Sequence, residues 1–218
     1  MNSRIPVPAP PDTPVEPVKE VLHGTVVEDP YRWLEDGESE RVRRWVDAHF
    51  ARTRAAIDAI PERPAIRKRI EELNSVGAVM HPIVRGGHVF HQKRTALQNQ
   101  PVLWVRSGFG GAPRVLLDPN TMSTDATVAL DWWVPSDDGK LLAYGVSVAG
   151  SEISTLGVLD VHGGAKFAEA IPYCRAASVA WLKDNSGFYY TRYPEGDPYN
   201  RRVYFHKIGA AEDPLVFT

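Results

Sequence analysis

The sequence predicts a mainly β fold preceded by a short α-helical segment. Three observations carry this. Helical periodicity is confined to the stretch between Asp36 and Leu73. After residue 75 the chain breaks into short runs rich in Val, Tyr, Phe and Leu, separated by Gly, Asp, Asn or Pro. No helix-length segment interrupts those runs, which argues against a parallel sheet built from crossover helices.

Residues 1–20 (MNSRIPVPAPPDTPVEPVKE) hold six prolines and no apolar core of the kind a secretory signal needs. Proline lacks a backbone donor and fixes φ, so this segment is expected to be an extended surface arm. From Asp36 to Ile60, Val42, Trp45, Val46, His49/Phe50, Thr53, Ile57 and Ile60 recur at helical spacing and form the expected inward stripe. Asp36 or Ser39 is the candidate N-cap, and Glu38 and Glu40 suit the positive end of the dipole. Pro61 and Pro64 end that helix, and Pro64 opens a second one through Ile66, Ile70 and Leu73. The arginines of the first helix are interleaved with acids, so they read as a solvated face.

Strands are expected at His88–Lys93, Val102–Arg106, Arg114–Leu117, Leu141–Ser147, Thr155–Val161, Gly187–Arg192 and Arg202–Ile208. An internal echo organises them. Trp133 precedes Gly139 by six residues in WVPSDDGKLLAYG, and Trp181 precedes Gly187 by six in WLKDNSGFYYTR, with the two copies 48 residues apart. Each reads as an incoming strand, a turn and an outgoing strand, and a degenerate copy runs through Arg85-Gly86-Gly87 into HVFHQKR. A period of about 40–50 residues with about four strands is the signature of a β-propeller blade. About three blades fit after residue 75.

Composition narrows the function. A net charge of -2 gives no footprint for nucleic acid, one cysteine (Cys174) removes disulfide and multi-cysteine zinc sites, and no apolar run reaches membrane-spanning length. A cytoplasmic protein without cofactor or metal is the expectation.

The runs HGTVVEDPYRWLED (His23 to Asp36), LQNQPVLWVR (Leu97 to Arg106), LLDPNTMS with TVALDWWVPSDDGKLLAYGVSVAGSE (Leu116 to Glu152) and WLKDNSGFYYTRYP (Trp181 to Pro194) resemble the prolyl oligopeptidase family over nearly all of residues 17–218. That resemblance implies a serine endopeptidase cleaving short peptides after proline, with a seven-bladed propeller gating an α/β-hydrolase domain. It divides the chain into an arm (1–20), a helical segment belonging to the hydrolase domain (21–75) and an incomplete propeller (76–218). The implied partners are short proline-containing peptides, acting only on the complete enzyme, and the remaining blades and hydrolase domain.

No G-x-S-x-G elbow occurs in these 218 residues. Its nearest imitation, Gly145-Val146-Ser147-Val148-Ala149, lacks the following helix that would aim the hydroxyl, so no catalytic residue is assigned. His88 and His91 fall three apart on a strand and His81 lies nearby, a spacing that does not bring the pair onto one metal ion. His23 is expected to hydrogen-bond structurally, and Glu28, Asp29, Glu35 and Asp36 to serve turns and caps. Of the adjacent Trp132 and Trp133, one is expected in a sheet interface and the other facing outward. Cys174 reads as a small buried hydrophobe. The resemblance places Ala176 of CRAASVAW where the family carries an aromatic of the proline pocket, a loss of about 1–3 kcal/mol of pocket contact. It places Glu152 where an acid holds a substrate-binding arginine of the hydrolase domain, an arginine outside these residues. The alternative is a stand-alone, non-catalytic propeller-type binding module that oligomerises or pairs with a separately encoded remainder. The apolar texture of Leu215, Val216 and Phe217, where a terminal repeat of such a module needs a polar cap, favours the first reading.

Overall fold

The computed structural model describes residues 7–95 and 98–218; residues 1–6 of the arm, and Leu97 at the head of LQNQPVLWVR, lie outside them. The chain divides into two compact units, Met1–Leu73 and Asn74–Thr218.

In the first unit the prolines keep residues 7–17 out of helix and sheet. The arm is nevertheless fixed by side chains that reach back to it. Trp33 Nε1 donates to the Pro14 carbonyl at 3.0 Å, Trp45 Nε1 to Thr13 Oγ1 at 3.0 Å and Arg52 Nε to the Pro8 carbonyl at 2.8 Å. A hairpin of β1 (Val18–Leu22) and β2 (Thr25–Asp29) follows, turning through His23 and Gly24 with φ of 50° and 80°. Positive φ at both central residues is the type I′ geometry that matches strand twist. The role of His23 thus lies in its backbone. Helix α1 (Glu40–Asp58) is capped by Ser39, whose Oγ accepts from the Val42 N–H, and α2 (Arg63–Asn74) follows. Glu28 pairs with Lys19, while Asp29 accepts from the Tyr31 N–H and Arg32, the turn chemistry expected of it. The expected inward stripe of α1 is only partly inward. Val42 is buried, while Val46, Phe50 and Ile57 are exposed, as are Ile66, Ile70 and Leu73 of α2.

The second unit holds three antiparallel meanders. The first sheet orders β3 (Ala78–Arg85), β4 (His88–Arg94), β5 (Val102–Ser107) and β6 (Arg114–Leu117). The second orders β7 (Val128–Pro135), β8 (Leu141–Val148) and β9 (Thr155–Asp160). Its outer edge is completed by a broken strand that touches β9 only at the Leu159–Lys166 and Leu156–Ile171 bridges. The third orders β10 (Val179–Trp181), β11 (Gly187–Arg192), β12 (Arg202–Lys207) and β13 (Leu215–Phe217). This is a partial β-propeller of three blades. Two cores hold it together: Phe90, Leu103 and Leu117 of the first sheet meet Trp133, Leu142 and Leu159 of the second, and Leu156 and Val158 of the second meet Phe188 and Tyr190 of the third.

The middle sheet therefore buries both faces, which corrects the expectation for the adjacent tryptophans. Trp133 packs toward the first sheet, 6.2 Å from the Phe90 ring, and Trp132 packs toward the third, its Nε1 donating to the Cys174 carbonyl at 3.0 Å. Neither faces outward. Gly145 makes room for Trp132, since a Cβ there would lie 2.3 Å from the indole.

The repeated turns connect the blades. Gly86, at the β3–β4 turn, approaches Asp138 so closely that a Cβ would sit 1.7 Å from its carbonyl oxygen. Asp138, in the β7–β8 turn, accepts from Ser136 Oγ at 2.8 Å, from the Lys140 N–H at 3.1 Å, and with both oxygens from Asn185 Nδ2 at 2.9 Å. Asn185 belongs to the β10–β11 turn, so one carboxylate ties the second blade to the third. Burial works against its charge, but the bonds from Asn185, Lys140 and Ser136 prevail and hold it well below the usual carboxylate range. Trp181 repeats the link, donating to the Val134 carbonyl at 3.1 Å.

Candidate functional site

Three loops of the propeller unit converge beside the third blade. The loop after β8 carries Glu152 at φ 58°, the loop before β10 carries Tyr173 at φ 62° and Ala176 at φ 45°, and the β11–β12 loop supplies Tyr193, Pro194 and Pro198. Non-glycine residues in the left-handed region persist only where surrounding structure enforces them. Here the Tyr193 N–H donates to the Tyr173 carbonyl at 3.0 Å and the Cys174 N–H to the Ser154 carbonyl at 2.9 Å.

These loops enclose an open concavity of about 340 Å³. Its wall is aromatic and prolyl, from Tyr173, Tyr193, Pro194 and Pro198, with Ile153 beside them. Its charged groups are Glu152, Arg175 and Asp197, the first two forming an exposed ion pair. Arg201 donates to Tyr193 Oη at 2.7 Å and to the Ala176 carbonyl at 3.5 Å. A hydrogen bond to Glu195, with a smaller contribution from burial, holds the Tyr173 hydroxyl above its ordinary range. The arrangement offers flat apolar walls to a ring, and an arginine and carboxylates to charged or amide groups.

Glu152 lines this concavity. Ala176 does not; its exposed methyl lies one residue beyond Arg175, and its carbonyl is the part engaged. Sequence reasoning passed over Arg175, Tyr173 and Tyr193, although YPEGDP (Tyr193 to Pro198) has the composition of an ordered binding loop.

The remaining candidates are structural. Ser147 lies buried on β8 and donates to Asp131 Oδ1 at 3.0 Å, the other carboxylate oxygen taking Ser154 Oγ at 2.6 Å. Asp131 reaches both because it is the extra residue of a bulge between Leu130 and Trp132. Cys174 is fully buried in the second core, and burial pushes its thiol up to about 12. His81 sits at a bulge of β3, its Nδ1 2.9 Å from Gln92 Oε1. Among the described residues no three His, Cys, Asp or Glu side chains are placed to hold a metal ion, and no helix is long and apolar enough to cross a membrane.

A larger concavity of about 720 Å³ lies between the broken outer strand of the second blade and the β12–β13 turn. Its polar groups face each other: His206 Nδ1 is 2.7 Å from Asp213, Tyr190 Oη donates to Asp213 at 2.5 Å, and the Gly209 N–H donates to Glu169 at 2.8 Å. That network clamps adjacent blades.

A family model described as the prolyl oligopeptidase N-terminal β-propeller domain matches residues 10–218. The chain belongs to the prolyl oligopeptidase family. Relatives in this family of serine peptidases include the prolyl endopeptidase of Elizabethkingia meningoseptica, 31% identical over 203 residues, and prolyl oligopeptidase A of Galerina marginata, 30% identical over 243. The alignments cover 88% and 93% of this chain but only 28% and 32% of those proteins, so the chain spans less than a third of their length. A solved prolyl endopeptidase superposes with a TM-score of 0.86 at 34% identity, over 96% of this chain and 32% of that one. Prolyl oligopeptidase B of Galerina marginata, solved with a 35-residue hydrolysis and macrocyclization substrate, shares the fold with a TM-score of 0.78 at 24% identity, over 95% of this chain and 33% of that one. Both structural comparisons show the fold of a partial propeller.

Proposed function

We propose that these residues form the N-terminal arm and first three propeller blades of a serine endopeptidase that cleaves short peptides after proline, the propeller gating access to the catalytic centre. The family match over residues 10–218 carries the reading. The aromatic and prolyl concavity at Glu152 supports a peptide-facing role for this side of the propeller. Glu152 holds Arg175 in the present structure and is the group that a substrate-binding arginine of the hydrolase domain would engage. Ala176 leaves the proline pocket without the family's aromatic wall, which widens it.

Catalysis is supplied from outside these 218 residues, because the only elbow-like serine, Ser147, is buried and bonded to Asp131. Residues 21–75 serve the hydrolase domain, and the exposed Phe50, Ile66, Ile70 and Leu73 are the apolar surface it would cover. The test is hydrolysis of a fluorogenic peptide with proline at the cleavage position. The purified 218-residue chain is expected to show none above buffer, and the complete polypeptide to cleave it. Turnover by the 218-residue chain that disappears in Ser147→Ala would overturn the assignment.

A further inference from the structure

A further concavity, of about 240 Å³, sits on the seam between the first and second blades, lined by none of the residues that line the Glu152 concavity. Its polar lining consists of His88, Arg106, Ser107, Arg114 and His162, with no carboxylate. His88 opens β4 and pairs across the ladder with Ser107 at the end of β5. Arg106 precedes Ser107, Arg114 opens the neighbouring β6, and His162 follows β9 of the second blade. The antiparallel register thus brings donors from four separate chain segments to one point.

Their charge is uncompensated. Among the described residues neither Arg106 nor Arg114 has a carboxylate partner, whereas Arg41, Arg43, Arg44, Arg54, Arg63 and Arg67 are all ion-paired. Arg106 Nε and His88 Nδ1 are buried and lack any hydrogen-bond partner. Arg114 is tied only to the Val161 carbonyl of the second blade, which leaves the rest of its guanidinium free. The local field is felt nearby: burial, and then the positive charges of Arg106 and Lys93, push the His91 imidazole below its ordinary range. An unpaired, partly desolvated guanidinium is costly unless a counter-charge arrives.

We propose that this concavity binds a phosphate-type oxyanion. Two arginines and two imidazoles supply donors and no competing acceptor charge, the combination that favours a multiply charged tetrahedral anion. The volume equals about eight waters, enough for one phosphate group and below the size of drug-like sites. Because Arg106 and Arg114 belong to the first blade and His162 to the second, the bound anion also cross-links the seam.

Thermal melts of the 218-residue chain at constant ionic strength test this, with inorganic phosphate, glycerol 3-phosphate, acetate and chloride as probes. At tenfold excess over Kd, phosphate is expected to raise Tm by about 3–6 °C, and acetate and chloride to leave it unchanged. Glycerol 3-phosphate matching inorganic phosphate identifies a monoester as the source, and its failure identifies the free anion. Arg106→Gln should weaken phosphate binding at least tenfold, read directly from ³¹P line broadening. Arg114→Gln should do the same, and its anion-free Tm should fall as well because the bond to the Val161 carbonyl across the seam is lost. Equal shifts from all four salts, or phosphate binding unchanged in both variants, would overturn the proposal.

Discussion

Replacing Asp138 with alanine should unzip the turn that joins the second blade to the third. The carboxylate accepts from Ser136, from the Lys140 N–H and, with both oxygens, from Asn185 Nδ2, and it lies 3.1 Å from Lys140 Nζ. A hydrogen bond to a charged group contributes about 1.5–3 kcal/mol when buried. The Asp138 side chain is 33% exposed, so water replaces part of the loss. Its exposed pair with Lys140 adds little. The net cost should be about 2–4 kcal/mol, or a fall in Tm of about 5–12 °C. Acid adds a second signature. The folded-state carboxyl is held below its ordinary value of 3.8, so its stabilisation is complete above that pH and is lost as pH falls toward the folded value. Urea unfolding followed by circular dichroism should therefore show the gap between parent and Asp138→Ala at full size near neutrality and shrinking below pH 3.8. A gap under about 0.5 kcal/mol at neutral pH, the scatter expected of a surface substitution, would refute the reasoning. So would a gap that persists unchanged into strong acid.

Other perturbations probe neighbouring contacts. Gly86→Ala places a Cβ against the Asp138 carbonyl at a φ of 53°, and the combined clash and strain should cost more than about 2 kcal/mol in the same urea assay. Trp181→Phe keeps an aromatic ring beside Phe188 but forfeits the bond to the Val134 carbonyl, a loss of about 1–2 kcal/mol by thermal melting. Cys174, buried with its thiol pushed up to about 12, should resist a thiol reagent at neutral pH and react at the rate of unfolding when denaturant is added.

Much of this architecture is legible in the residues, and the gaps have physical causes. Seven strands from His88 onward (β4, β5, β6, β8, β9, β11 and β12) are visible because each alternates or saturates with Val, Leu, Tyr and Phe between turn residues, and their ends agree with the structure to within one residue. By contrast, β7 and β10 are marked only by their tryptophans, and β13 is not marked as a strand. The Trp–turn–Gly echo marks the blades because both of its conspicuous members make inter-blade contacts, Trp181 to Val134 and Asn185 to Asp138. The β1–β2 hairpin escapes because His23-Gly24 is an uncommon pair for a type I′ turn and the strands around it are exposed, so no inward face is patterned. β3 escapes because a bulge at His81 and Pro82 breaks its alternation. The outward tryptophan is a different kind of miss. Alternation along a strand tells which residues share a face, but not that a further sheet covers the second face. Glu152 is traceable to its concavity through the loop it occupies, whereas Arg175 and Arg201 reach the same place from loops whose folding depends on positive φ at Tyr173 and Ala176.

The links between the second and third blades, Trp181 to Val134 and Asn185 to Asp138, each join residues 47 positions apart. The bond from Arg114 to Val161, across the first seam, spans the same interval. A ribosome adds that length in about 2–9 s. Each blade can therefore dock on its predecessor as soon as it emerges, without waiting for distant sequence. Nascent chains arrested at successive blade boundaries should grow more protease-resistant in steps of one repeat.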